Sequence, residues 1–195
     1  MTVGSWPEAF DAKQVAVTGG SQYVRLGGKG PAVLLLHGFG DTGDMWVPLA
    51  EALVKDHAVI VPDLRGMGLS SHPEAGYENS TTSFQPTRRA STSRHANTMP
   101  RFMRVPTRST MPSADSMRLS RKTLSTINNS FAKGKLKMPV LAIGGDHSYG
   151  AHLATEIGFA AADVRAAVIK DSGHWIMEEQ PEQAVSIILS FLNTE

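Results

Sequence analysis

The chain has 195 residues, 41% of them hydrophobic, enough for one domain with a sizeable core. A formal net charge of +1 gives no global attraction to nucleic acid or membrane surfaces, and the lack of cysteine excludes disulfides, thiolate metal sites and a cysteine nucleophile. The first ten residues hold no basic stretch followed by an apolar one, and no run approaches membrane-spanning length, so the expectation is a soluble, cytoplasmic protein without a membrane partner.

Residues 15–18 and 22–26 alternate loosely around Gly19-Gly20, which predicts a β-hairpin. After the Gly27-Gly28-Lys29-Gly30-Pro31 turn, the apolar run 32–36 is too short for a helix and predicts a strand buried on both faces of a parallel sheet. It ends in His37-Gly38-Phe39-Gly40, where glycine permits close approach to a ligand at the carboxyl end of a strand. Trp46, Leu49, Leu53 and Val54 then recur at helical spacing, with Asp44 as the expected N-cap and Pro48 in the first turn. Residues 57–61 form the next expected strand, closing a βαβ unit.

From 79 to 129 the character changes to Ser, Thr, Arg and Pro, with nine of the 19 basic residues and a single acid, Asp115. Its few large apolar side chains have no period, so ordering it would cost more entropy than their burial returns, and it is expected to be largely disordered. Order is expected to resume with a buried strand at 140–143, a helix at 151–162, a strand at 164–169 and an amphipathic closing helix at 182–192 with Pro181 in its first turn. The organisation is read as one domain over 1–195, with sheet halves at 1–78 and 131–195 around an irregular 79–130.

Three stretches carry a resemblance: His37-Gly38-Phe39-Gly40, Asp63-Leu64-Arg65-Gly66-Met67-Gly68-Leu69-Ser70, and Asp171-Ser172-Gly173-His174-Trp175. Together they resemble the α/β-hydrolase family, especially its epoxide hydrolase and haloalkane dehalogenase branch. The resemblance implies an α/β fold with a mostly parallel sheet flanked by helices, here incomplete around the irregular middle. It implies hydrolysis of a small apolar epoxide, ester or halide through a covalent enzyme ester, with no metal or organic cofactor and no nucleic-acid partner. His174 matches the family's catalytic base, and Phe39 matches the position whose backbone N–H faces the oxyanion, with Gly38 allowing the approach. His37, Asp63 and Arg65 read as structural. The family pattern Gly-Asp-x-Asp departs here to Gly145-Asp146-His147-Ser148, so Asp146 is the candidate orienting acid, two residues early.

No Gly-x-Ser-x-Gly, Gly-x-Asp-x-Gly or close variant lies between Arg65 and Pro139, and the nucleophile is unassigned. The middle reads as a deletion or out-of-frame stretch in preference to an evolved basic insert, since its basic residues stand singly with little aromatic interleaving. Little or no activity is therefore expected of the chain. Two alternatives stand beside this: a non-catalytic hydrolase-like binding module, and a serine hydrolase with an unconventional nucleophile.

Overall fold

A computed structural model describes residues 6–38, 40–73 and 134–194. Phe39 and the expected disorder of 79–129 lie outside the described residues.

Strands β1 (Phe10–Val17) and β2 (Gly20–Gly27) form the expected antiparallel hairpin, with Val17 opposite Gly20. The reversal is tight because Gly19 takes a left-handed φ of 82° that a side chain would disfavour. β2 runs antiparallel to β4 (Ala58–Pro62), which pairs in parallel with β3 (Ala32–Leu34), giving the order β1-β2-β4-β3. Between β3 and β4 lie a 3-10 turn at Gly43–Trp46 and helix α1 (Val47–Leu53), which has proline in its first turn as expected. The cap differs from expectation. Thr42, not Asp44, caps the 3-10 turn by accepting the Asp44 N–H, while the Asp44 carboxylate is engaged by Trp6 and Arg25.

In the second half, β5 (Leu136–Gly145) pairs in parallel with β6 (Ala161–Ile169), and α2 (His152–Ile157) links them. The helix expected over 151–162 is therefore half that length. Gly158 closes it by donating to the Ala154 carbonyl, and Ala161 already pairs with Leu136. Helices α3 (Ile176–Glu179) and α4 (Pro181–Leu192) end the described chain, with Pro181 at the start of α4.

One apolar cluster joins both halves: Leu35, Leu49, Ala50, Leu53, Val59 and Val61 pack with Ile169, Met177 and Ala184. Leu49 and Leu53 are each 1% exposed, and such burial contributes about 1.5–3 kcal/mol per side chain. Burial of the 32–36 run on both faces is not found. Leu35 faces the core, but Leu34 and Leu36 are 56% and 51% exposed, because no described element covers their face of β3.

Candidate active site

Two loops converge at the carboxyl ends of β3 and β6. The first follows β3 and is braced from behind. His37 is buried, and its Nε2 accepts the Leu64 N–H at 2.8 Å while Nδ1 lies 2.8 Å from the Gly38 carbonyl. Only a neutral ring protonated on Nδ1 satisfies both bonds, so His37 is a structural bracket. Asp63 is 1% exposed; its Oδ1 accepts the Gly43 N–H and its Oδ2 the Leu69 N–H, both at 2.9 Å. Its charge is met by Arg25, which lies 3.4 Å from Asp63 and 2.8 Å from Asp44. The Arg25 guanidinium also stands 4.8 Å from the Trp6 ring and 4.7 Å from the Tyr23 ring, a cation–π arrangement. Arg65 donates to the Thr18 carbonyl at 2.7 Å, a tie to the hairpin turn.

The second loop follows β6 and carries His174. Asp146, at the end of β5, accepts the Ser172 N–H on Oδ1 and the Asp171 N–H on Oδ2, each at 3.1 Å. These bonds, the Ser172 one first, hold its carboxyl below the usual carboxylate range. Gly145 lets the loop close in: a Cβ there would overlap the backbone carbonyls of Ser172 and Gly173. Glu179 reaches back to accept the Gly173 N–H at 2.6 Å and the Trp175 N–H at 3.0 Å, the two amides flanking His174. The Gly173 bond leads in holding the Glu179 carboxyl low. His174 itself is exposed, its ring edge-on to Trp175 with centroids 5.0 Å apart. Among the described residues Asp146 makes no hydrogen bond to the His174 ring; it grips the backbone two and three residues before it.

The loops meet at two places. A Cβ on Gly40 would lie 3.6 Å from the Trp175 ring, and the Asp41 and Glu178 carboxyl groups are close enough for their charges to act on one another. Burial first, and then the Asp41 charge, raise the Glu178 carboxyl from 4.5 to about 7. A Cβ at Gly38 would meet nothing within 4 Å among the described residues.

The sequence reading passed over Arg25, Asp41, Glu178 and Glu179. A lone arginine between Val24 and Leu26 in an alternating strand, and the Glu-Glu pair after His174, were the available signals.

Other features fall outside this convergence. A cavity of about 670 Å³ lined by Leu26, Lys29, Val54 and Ala58 sits at the amino end of β4, opposite the loops. Asp146, His147 and Asp171 bring three donor atoms within 4.8 Å at the surface, but both Asp146 oxygens are engaged by backbone amides. Among the described residues no helix is long and apolar enough to cross a membrane.

The fold has clear counterparts. Residues 31–85 match the family model described as alpha/beta hydrolase fold. A crystal structure of wild-type Cfl2 from Burkholderia cenocepacia superposes with a TM-score of 0.71 at 19% identity, over 94% of this chain and 96% of that one. The chain thus has the α/β-hydrolase fold. Parts of it are similar to proteins of the epoxide hydrolase and fluoroacetate dehalogenase branch of that fold. A fluoroacetate dehalogenase of a Burkholderia species is 38% identical over 78 residues, 40% of this chain and 26% of that protein. An epoxide hydrolase of Caballeronia sordidicola is 43% identical over 60 residues, 30% of this chain and 18% of that protein. The chain therefore matches only about a quarter or less of the length of these two relatives.

Proposed function

We propose that the chain is built to hydrolyse a small apolar epoxide, ester or halide through a covalent enzyme ester, with turnover weak or absent. In this reading His174 takes the proton of the water that attacks the ester carbonyl. The Phe39 backbone N–H, with Gly38 leaving room beside it, stabilises the oxyanion. Asp146 contributes by placing His174 through the loop backbone it grips. The observation that supports the reading is the approach of Gly40 to the Trp175 ring, which brings the loop bearing His174 against the loop that follows β3. Two relatives, named fluoroacetate dehalogenase and epoxide hydrolase, support the substrate class. Weak turnover follows from the sequence, which offers no nucleophile elbow between Arg65 and Pro139. Nucleophile and base act as a unit, and losing either removes most of the rate.

The test is turnover of a panel of small epoxides, haloacetates and aryl esters by the chain and by His174→Ala. Slow hydrolysis abolished by His174→Ala supports the reading. Fast epoxide turnover overturns the impairment, and turnover indifferent to His174→Ala overturns the role of the base. Fluorophosphonate labelling that disappears in His174→Ala would establish a serine hydrolase instead, and saturable binding without hydrolysis a binding module.

A further inference from the structure

Asp41 follows the first loop and Glu178 sits on α3, four residues after His174, so the pair bridges the two loops independently of any reaction. The Asp41 Oδ2 and Glu178 Oε2 atoms are both buried, and neither meets a donor among the described residues. Asp41 Oδ1 is already engaged, accepting the Thr42 N–H at 2.7 Å. α3 packs on the 3-10 turn that follows Asp41, which brings the two carboxyl groups close enough to act on one another. Two ionised carboxylates are acceptors only and cannot bond. One proton between them resolves the conflict: the Glu178 O–H donates to Asp41, and two buried lone-pair sites become partners.

We propose that Asp41 and Glu178 share a proton, and that this carboxyl–carboxylate hydrogen bond is a latch holding the first loop against α3. Loss of the proton leaves two negative charges in contact and partly out of water, and the loops part.

The surroundings reinforce the need for the proton. Glu179, the neighbouring charge on α3, is also negative. On the 3-10 turn packed against α3, Asp44 is held by Arg25, which Asp63 shares. On α4, Glu182 is exposed, and neither that helix nor the 3-10 turn carries a basic residue. His174 is exposed and has no hydrogen bond to the pair among the described residues. Among the described residues Arg25 is thus the cation of this neighbourhood, and it is spent on two other carboxylates. The latch is closed in mildly acidic solution and opens as the pH rises past neutrality.

A carboxyl carbon-13 NMR titration of the full chain, with Glu178 assigned through bonds from its own backbone, tests the latch. Glu178 is expected to titrate near 7 in place of 4.5, and to fall back toward the ordinary range in Asp41→Asn, whose amide donates to the carboxylate. Amide exchange at Gly40, Thr42 and Trp175, corrected for base catalysis, should be severalfold faster above that transition than below it. In Glu178→Gln the pH dependence should vanish, because the neutral amide keeps donating to Asp41. Titration of wild-type Glu178 in the ordinary carboxylate range overturns the proposal, as does an unchanged exchange profile in Glu178→Gln. If a variant fails to fold by circular dichroism, the wild-type titration and exchange profile decide by themselves.

Discussion

The two loops are held by opposite means. Behind the first, buried charges lock to one another: Arg25 lies between Asp44 and Asp63, and Asp63 spends its second oxygen on the Leu69 amide. Behind the second, surface carboxylates grip the backbone: Asp146 holds Asp171 and Ser172, and Glu179 holds Gly173 and Trp175. A buried ion pair is expensive to break from one side, since the remaining charge stays stranded. An exposed carboxylate can hand its amides back to water at small cost. Buried charges thus hold Gly43 and Leu69 behind the first loop, while the backbone around His174 is held from the surface.

Arg25→Ala strikes the buried charges and should have the largest effect. It strands Asp63, 1% exposed, without a cation and removes the guanidinium between Trp6 and Tyr23. A loss of about 3–5 kcal/mol is expected, read by denaturant unfolding. A loss below about 1 kcal/mol, the range of surface pairs, would erase the contrast between the loops.

Gly145→Ala comes next and attacks the second loop at its one hard contact. The new methyl group would press on the Ser172 and Gly173 carbonyls, which belong to backbone and cannot swing aside. Overpacking of this kind costs about 1–3 kcal/mol, and chemical-shift changes should concentrate at 171–175 while Gly43 and Leu69 stay unmoved.

The smallest effect is expected from Glu179→Ala, which frees the Gly173 and Trp175 amides to water. Unfolding midpoints should scarcely move, yet hydrogen exchange at those two amides should accelerate. Unchanged exchange would mean that packing of Trp175 against Gly40, and not the carboxylate, sets the loop.

The same contrast explains how much could be read from the chain. The hairpin, both parallel pairs and the closing helix were legible because short apolar runs and glycine turns encode them locally. The helix at 151–162 was overextended because Ala160-Ala161-Ala162 favours helix by propensity, whereas pairing of Ala161 with Leu136 draws it into β6. The two-sided burial of 32–36 failed because a run of Leu does not say which neighbours are present. His174 and its loop stood out through Ser-Gly-His-Trp, but Arg25 finds Asp63 across 38 residues, a partnership no local spacing announces. Asp41 and Glu178 meet across a still longer separation, and only the fold brings them together.

The central claim is that the base survives here without an attacking group, and mass spectrometry of the intact chain tests it most directly. Removing the base should trap any ester that forms, so His174→Ala is incubated with excess small apolar epoxide and, separately, with haloacetate. The account predicts that the chain keeps its mass in both, with at most a trace of adduct. A stoichiometric adduct that maps to a single carboxylate or hydroxyl of this chain would contradict it.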